Sequence, residues 1–493
     1  MPFVRTLLIL LFTSLSTVCL AAVPDERPVV SGIGDLSIAK RYEFVSKPLS
    51  ETREFYVSLP KSYEDSQHHY PVLYLLDADQ NMEHTVASAR MLAQWRGIPE
   101  LIIVGIPSTN RLRDFTPTQD ANYSEQSGGG EQFMAFVKQE LIPFIDDNYR
   151  SHPFRILFGH SLSGLLAANE MMQARSPFDA YIIAAPSLWW NDFEILKSAG
   201  QHFKQNTQAS IAAFFGIGEL DGYGMKQELL RFVDAIAASG NDKLRFDHQE
   251  YSEEGHMSAP MPVTYDGLLS VFADIPYSKE HWDSFSSDAF TAREESLRAK
   301  YGSTAVQTAE NYIELANHLL EKRNFNGAIT VFKLNAELNP GFAPYREWLA
   351  NAYVLAGDVG NAKQEYQTAY DISSTSINGQ GNAQQYLEQL ELITHPIALN
   401  NEIISSLSGC YENKEDNYTI YAENGKLYGR HKDWQAFELF PKSTMQFFMR
   451  VPPGYQFSFV EENSGMTLLL DKYGEQSRLL PTLDGCQKPM GSE

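Results

Sequence analysis

The chain has 493 residues, 43% of them hydrophobic and 20% charged, a composition typical of a folded globular protein. Its formal net charge of -23 favours solubility and argues against nucleic acid as a partner, because phosphate groups need a basic surface. Length alone predicts about three domains.

The first 22 residues have the pattern of a secretory signal peptide. Arg5 precedes an apolar run from Leu7 to Leu20, and two alanines follow it. Hydroxyl residues interrupt the run, which disfavours a transmembrane anchor. The bulky Val18 disfavours lipid attachment at Cys19. We therefore expect a periplasmic or secreted protein whose mature chain has no transmembrane segment.

Strands alternate with helices over residues 23–278, which predicts an α/β domain. Residues 71–76 and 101–106 are continuous apolar runs, typical of strands covered on both faces. A helical pattern at 130–145 and further strand patterns at 211–215 and 244–251 continue the alternation. The pattern predicts a mostly parallel sheet with helices on both faces, whose chemistry gathers at the carboxyl ends of the strands.

Ser161 lies between a strand-like run and a helix-like run. Gly159 and Ser163, both small, flank it at two residues' distance, as in a nucleophile elbow, although the strict motif has glycine where Ser163 stands. We expect this tight turn to present the Ser161 hydroxyl clear of the sheet.

Candidate partners for Ser161 follow two later strands. Glu219 and Asp221 come after the strand at 211–215, and His256 comes after the strand at 244–251. The order serine, acid, histidine is that of α/β-hydrolases. His256 would act as general base, and a carboxylate would orient its imidazole. We expect Glu219 to be the acid, because it comes first after its strand, with Asp221 as the alternative.

Two backbone amides should stabilise the oxyanion. One is expected from Leu162, directly after the nucleophile. The other should come from the loop after the strand at 71–76, at Asp79 or Gln80. The mechanism needs neither a metal ion nor an organic cofactor.

Five motifs together resemble the esterase-D and enterochelin-esterase-like α/β-hydrolases; they lie at 74–79, 111–117, 159–164, 185–191 and 255–256. The resemblance covers about residues 37–275. It implies hydrolysis of a carboxylic ester, with Ser161 as nucleophile and His256 as base. Members include siderophore-ester hydrolases, feruloyl and acetyl esterases, S-formylglutathione hydrolases and mycolyl transferases, so an acyltransferase using the same residues is an alternative.

Three further residues are candidates for substrate binding. Trp189 and Trp190 follow a strand and could line an acyl or aryl pocket; the alternative is that they pack in the core. Arg113 could bind an acidic substrate; the alternative is an ion pair that stabilises its loop.

Residues 279–396 have an all-helical pattern that repeats every 34 residues, with small residues at 316, 328, 350 and 362. This segment resembles tetratricopeptide repeats, in two copies followed by a capping helix at 384–393. The resemblance implies a concave surface for a peptide or protein partner; a spacer packed on the hydrolase is the alternative, as is a scaffold protein with a vestigial hydrolase.

Residues 397–493 contain seven short alternating strands, and Asn424-Gly425 indicates a tight hairpin. The pattern predicts a small antiparallel barrel or sandwich, similar to the lipocalin-like domain of some serine hydrolases. In an oxidising compartment Cys410 and Cys486, which bracket it, could form a disulfide. The whole sequence therefore predicts an exported serine esterase, whose substrate could be a siderophore or another small ester.

Overall fold

The computed structural model describes residues 37–120, 122–123, 125–205, 210–375, 380–432, 436–462 and 465–482. The predicted signal peptide at 1–22, with Cys19, and the predicted disulfide partner Cys486 lie outside these residues.

An eight-stranded sheet forms the first half of the protein, with the strand order β1-β2-β4-β3-β5-β6-β7-β8. All pairs from β4 across to β8 are parallel, whereas β1 and β2 pair antiparallel at one edge. The strands are β1 (Lys40–Ser46), β2 (Glu51–Ser58), β3 (Tyr70–Leu76), β4 (Ile102–Ile106), β5 (Ser151–His160), β6 (Ala180–Ala184), β7 (Ile211–Gly218) and β8 (Leu244–Tyr251).

The mostly parallel sheet predicted from the sequence is confirmed. Every residue of β3, β4 and β6 is buried, so both faces of these central strands are covered, as their continuous apolar runs require. The edge strand β1 was not predicted, because its polar and charged residues are largely exposed and give no buried-strand pattern.

Eight helices accompany this sheet among the described residues. They are α1 (Ala78–Trp95), α2 (Arg111–Asp114), α3 (Gly130–Phe136), α4 (Ile142–Asn148), α5 (Leu162–Met171), α6 (Trp190–Gln205), α7 (Met225–Ser239) and α8 (Pro260–Val271). The single helix predicted at 130–145 is divided by a π-helical turn at Val137–Leu141. Pro143, in the first turn of α4, explains the interruption because its ring nitrogen carries no N–H to donate.

Seven α-helices follow the sheet among the described residues. They are α9 (Ser287–Tyr301), α10 (Ala309–Glu321), α11 (Phe325–Leu338), α12 (Ala343–Leu355), α13 (Val359–Thr375), α14 (Gln380–Thr394) and α15 (Asn401–Leu407). Four of them form two consecutive pairs, α10–α11 and α12–α13. The α12–α13 pair begins 34 residues after the α10–α11 pair, since 343 minus 309 and 359 minus 325 are both 34. Ala316, Ala328, Ala350 and Ala362 are completely buried, so these small side chains allow the helices to approach closely.

Helix α9 docks the helical pairs on the sheet domain. The ring of Tyr301 packs against Phe154 at 4.7 Å and Phe272 at 5.1 Å between centroids, and its hydroxyl donates to Asp274 Oδ1 at 2.7 Å. Arg293 Nη2 donates to the carbonyl of Asp274 at 2.6 Å. These contacts fix the exit from the sheet domain against the first helix that follows it.

The C-terminal strands close into an eight-stranded antiparallel barrel. They are β9 (Gly409–Glu412), β10 (Asn417–Glu423), β11 (Lys426–His431), β12 (Phe437–Pro441), β13 (Gln446–Phe448), β14 (Tyr455–Glu462), β15 (Gly465–Lys472) and β16 (Glu475–Thr482). Asn424 and Gly425 both have positive φ, 50° and 75°, as the predicted hairpin turn between β10 and β11 requires.

The sequence pattern missed β16, which pairs with β9 and closes the barrel. Its alternation is weak, since mainly Leu479 points into the apolar core and Pro481 lies near its end. Cys410 in β9 is disulfide-bonded. Its pairing with Cys486 stays a prediction.

The predicted domain limits remain predictions too. The limit at 278 falls between α8 and α9, whereas the limit at 396 falls before α15, which precedes the first barrel strand. No described helix combines the length and apolar character that crossing a bilayer requires.

Candidate active site

Ser161 occupies the turn between β5 and α5. Its φ of 60° and ψ of -116° lie outside the regions that most L-residues adopt, as a nucleophile elbow requires. Gly159 is needed because a Cβ there would lie 2.2 Å from the carbonyl oxygen of Ser163. The strand, the turn and the helix therefore hold the Ser161 hydroxyl at the carboxyl end of β5.

A chain of hydrogen bonds leads from this hydroxyl to a buried carboxylate. Ser161 Oγ lies 2.9 Å from His256 Nε2, and His256 Nδ1 lies 2.9 Å from Asp221 Oδ2. The Asp221 side chain is only 2% exposed, whereas the His256 side chain is 32% exposed. This arrangement can remove a proton from Ser161 while the carboxylate fixes the imidazole tautomer.

Glu219 does not fill the acid position, so our first choice from the sequence was wrong. Its backbone N–H still pairs with Tyr251 O at 2.8 Å, and its side chain is 54% exposed with Lys226 Nζ 3.8 Å away. A turn closed by Asp221 N–H donating to Gly218 O at 3.1 Å then reverses the chain. That turn brings Asp221, the sequence-based alternative, to His256.

The predicted oxyanion donors lie at the beginnings of two helices. Leu162 is the first residue of α5, and Asp79 is the second residue of α1, positions whose amides have no acceptor within their own helix. The Gln80 amide already donates to Asp77 O at 3.0 Å. Asp79 is therefore the better of the two candidates from this loop, and its role stays a prediction.

Asp77, directly after β3, ties the oxyanion loop to the elbow. Its side chain is fully buried and accepts hydrogen bonds from Ser163 Oγ at 2.7 Å and from Arg111 Nε at 2.8 Å. The Asp77 backbone is left-handed, with φ 50° and ψ 43°. Sequence reasoning missed this role, although an acid after a buried strand and a serine in place of the motif glycine were its two signals.

His160 holds the backbone of His256. It is 1% exposed, and its Nε2 donates to the His256 carbonyl at 2.8 Å. Burial lowers the pKa of His160 to about 3, so the ring is neutral at physiological pH. The hydrogen bond to the His256 carbonyl gives His160 a positioning role.

The predicted pocket residues separate into different environments. Trp190 is 1% exposed and donates from Nε1 to Thr118 O at 3.0 Å, so it is a core residue and its predicted pocket role is wrong. Trp189 is partly exposed and packs against the exposed Tyr123, with 5.1 Å between ring centroids. Ser187 Oγ, two residues earlier in the same loop, lies 3.3 Å from Ser161 Oγ, which keeps Trp189 as a pocket candidate.

The guanidinium of Arg113 forms ion pairs with two carboxylates. Its guanidinium pairs with Glu51 at 2.6 Å and with Asp114 at 2.7 Å. The alternative interpretation, an ion pair that stabilises the loop, therefore describes Arg113, and its predicted substrate-binding role is wrong.

The sequence matches the putative esterase family over residues 46–257, a stretch that contains Ser161, Asp221 and His256. The ferri-bacillibactin esterase BesA of Bacillus subtilis is 31% identical over 248 residues, which are 45% of this chain and 85% of that protein. The siderophore triacetylfusarinine C esterase of Aspergillus fumigatus is 28% identical over 282 residues, 47% of this chain and 96% of that protein.

Among solved structures, an IroE-like serine hydrolase from Shewanella oneidensis shares 25% identity and has a TM-score of 0.51; the match covers 61% of this chain and 99% of that chain. The fold and these relatives define the class of protein, a carboxylic ester hydrolase built on an α/β sheet. Within that class, the chain belongs to the putative esterase family.

Proposed function

We propose that the protein hydrolyses its ester through a covalent acyl-enzyme on Ser161. The observation that carries this proposal is the unbroken chain of hydrogen bonds from Ser161 through His256 to the buried Asp221. A complete relay also disfavours the alternative of a scaffold protein with a vestigial hydrolase.

In the first half-reaction, Ser161 Oγ attacks the ester carbonyl carbon while His256 Nε2 takes the hydroxyl proton. The carbon–oxygen bond to the alcohol then breaks, and His256 returns the proton to the leaving oxygen. In the second half-reaction, water attacks the acyl carbon and gives a proton to His256. The bond between that carbon and Ser161 Oγ then breaks, and His256 returns the proton to Oγ, which releases the acid and regenerates the Ser161 hydroxyl. Asp221 holds the imidazole tautomer and stabilises the imidazolium in both steps.

The developing oxyanion would be bound by the amides of Leu162 and Asp79. Both are at helix N-termini, where unsatisfied N–H groups and the helix dipole favour negative charge. Ser163 and Arg111 both bind the Asp77 carboxylate, and these contacts hold the N-termini of α1 and α5 in a fixed relative position.

Turnover of short and medium p-nitrophenyl esters by wild type, Ser161→Ala and Ser187→Ala tests the mechanism. Ser161→Ala should lose activity by about 10⁴-fold or more. Ser187→Ala is the matched control, since it removes the neighbouring hydroxyl but leaves the nucleophile, and it should keep most of the activity. A fluorophosphonate should label wild type and Ser187→Ala only. Full activity or full labelling of folded Ser161→Ala would overturn the mechanism.

We further propose that the substrate is a siderophore ester. One relative is named a siderophore triacetylfusarinine C esterase and another a ferri-bacillibactin esterase. Exposed apolar side chains also flank the relay in sequence: Leu220 and Tyr223 on either side of Asp221, and Met257 after His256. Such side chains suit an ester with large aromatic or apolar groups. A ferric tricatecholate triester lactone should be hydrolysed with a kcat/KM at least 100-fold above that for p-nitrophenyl acetate; an equal or lower value would contradict this choice.

Export is proposed from the predicted signal peptide. Mass spectrometry of the chain purified from its native host should give a mature N-terminus close to residue 23. An intact chain beginning at Met1 in the cytoplasm would contradict it.

We also propose that α10 to α13 are two tetratricopeptide-like repeats and that the barrel is a lipocalin-like domain. The 34-residue offset supports the first assignment. For the barrel, the support is its closed eight-stranded architecture alone. Its interior is filled by apolar side chains such as Tyr418, Phe457 and Leu468 and gives no further argument. The docking of α9 on the sheet favours a spacer role for the repeats. A pull-down with the full chain as bait, which includes residues 279–396, tests for a peptide partner.

A further inference from the structure

A cavity of about 660 Å³ lies between the helical pairs and the barrel. It is lined mainly by polar side chains from three elements of the chain: Glu347 and Asn351 of α12, Gln385 and Gln389 of α14, and Lys442 and Arg450 of the barrel. None of the residues of the ester-hydrolysing site lines it. Its volume falls in the range of small-molecule sites.

Arg450 is the buried cation of this cavity. Its side chain is 4% exposed, and its Nη1 donates to Tyr366 Oη at 2.6 Å and to Gln389 Oε1 at 3.0 Å. The guanidinium carbon lies 4.7 Å from the ring centroid of Phe440 and 5.0 Å from that of Phe448. The group is therefore held in place by neutral oxygens and aromatic faces.

The positive charge of Arg450 has no direct counter-ion. Among the residues that the structure describes, no carboxylate forms an ion pair with the guanidinium, and its buried Nε has no hydrogen-bond acceptor. Lys442, the other cation of the cavity, is paired with Glu388 at 2.9 Å. A buried charge without a partner is unfavourable, so the site is incomplete as it stands.

Glu347 does not supply the missing charge. Its Oε1 accepts a hydrogen bond from Gln385 Nε2 at 3.0 Å, and burial raises the pKa of its carboxyl to about 7 despite the attraction of Arg450. At neutral pH its carboxyl is therefore only partly ionised. The cavity holds a preorganised guanidinium, several amide side chains and the carboxyl group of Glu347, which can donate a proton to a hydrogen bond; the carboxylates of Glu388, paired with Lys442, and Glu391 also line it.

We propose that this cavity binds a small organic anion whose carboxylate or phosphate group accepts hydrogen bonds from the Arg450 guanidinium. The planar fork of arginine matches both groups, and the surrounding amides would meet the ligand's remaining polar atoms. Because the lining residues come from the repeats and from the barrel, a bound anion would join these two parts. The site would give the C-terminal half a ligand-binding role separate from ester hydrolysis.

Titration calorimetry of the full chain tests the proposal. The probes are citrate for the carboxylate and inorganic phosphate for the phosphate, each compared with chloride at matched ionic strength. At least one probe should bind wild type saturably and raise its unfolding temperature, and the arm that responds identifies the anion class. Arg450→Met should weaken that binding about tenfold or more, because it removes a charge-assisted donor.

Two further variants separate binding from folding. Arg346→Met is the matched control: Arg346 is also on α12, is paired with Glu365 at 3.0 Å and does not line the cavity, so it should bind the probe like wild type. Gln456→Trp keeps Arg450 but fills the cavity from β14, and it should abolish binding even if Arg450→Met fails to fold. Binding of neither probe to wild type, or undiminished binding by either cavity variant, would overturn the proposal.

Discussion

Asp77 and Arg450 are buried charged residues in different parts of this protein, and their partners differ in kind. Asp77, at the elbow, is fully buried and pairs with Arg111, while Ser163 donates to the same carboxylate. Arg450, between the helical pairs and the barrel, is almost fully buried, and among the described residues its guanidinium contacts neutral oxygens and aromatic rings. A charge with an opposite charge beside it can fix a geometry, whereas a charge without one retains affinity for an ion from outside.

The difference also fits the place that we propose for catalysis. Asp77 joins the end of β3 to the turn after β5, and both are carboxyl ends of parallel strands. Nucleophilic catalysis requires that the reacting groups at this edge of the sheet be held in fixed positions. The cavity around Arg450 lies between the helical pairs and the barrel, and we propose a binding role for it.

Asp221→Asn should have the largest effect of the variants that sharpen this comparison. The amide cannot hold the imidazole in the required tautomer, so kcat should fall by about 10⁴-fold. Glu219→Gln is the matched control, because Glu219 is mostly exposed and lies outside the relay; it should change kcat less than threefold. Steady-state kinetics with a p-nitrophenyl ester measures both. A larger loss for Glu219→Gln would return the acid role to that residue.

Asp77→Asn should lower kcat by about 100-fold with little change in KM. The asparagine amide cannot neutralise Arg111, so the Asp77 contacts no longer fix the nucleophile elbow relative to the start of α1. The backbone amides proposed for the oxyanion would then be displaced, which raises the free energy of the transition state more than that of the bound substrate. Loss of the charged acceptor should also cost about 1 to 3 kcal/mol of unfolding free energy, since Arg111 is one-third exposed and can turn to water.

Asp79→Asn is the control for Asp77→Asn. Among the described residues, its carboxylate accepts a hydrogen bond from the Ser108 amide at 3.1 Å. The asparagine oxygen can accept that bond in its place, and the backbone amide is unchanged. It should keep kcat within about threefold. A wild-type kcat in folded Asp77→Asn would show that the elbow keeps its geometry without this ion pair.

The sequence predicted the parts of the site that depend on local pattern. The apolar run and the small residues around Ser161 define the elbow, and His256 follows a strand that the alternation reveals. The acid could not be chosen, because Glu219 and Asp221 are two residues apart and the turn closed by Gly218 decides which of them faces His256. Trp190 looked like a pocket residue because sequence gives no sign of its bond to Thr118 O.

Contacts between residues far apart in the chain could not be predicted from the sequence either. Asp77 and Ser163 are separated by 86 residues, and Arg450 and Tyr366 by 84, so neither pair leaves a periodic signal. The strands β1, at the edge of the sheet, and β16, which closes the barrel, were missed for another reason: their side chains are largely exposed and follow no buried pattern.

Glu347→Gln tests the Arg450 side of the comparison through pH. Glu347 is buried with a pKa raised to about 7, from an ordinary value near 4.5, and the groups that act on it electrostatically are Arg450, Tyr366 and Tyr386. The folded chain therefore holds this proton at pH values where the unfolded chain has lost it. Its contribution to stability is complete below about pH 4.5 and is lost as the pH rises through about 7.

The glutamine side chain has no proton to lose, so the Glu347→Gln variant should lack this slope. Relative to wild type, it should gain about 1 to 3 kcal/mol of unfolding free energy between about pH 5 and pH 8, as measured by urea denaturation. Glu337→Gln is the control, because Glu337 is exposed on α11 beside Lys333 and should follow wild type at both pH values. If Glu347→Gln also followed wild type, Glu347 would be ionised in the folded chain and would serve as the counter-charge of Arg450, and the two buried centres would then be alike.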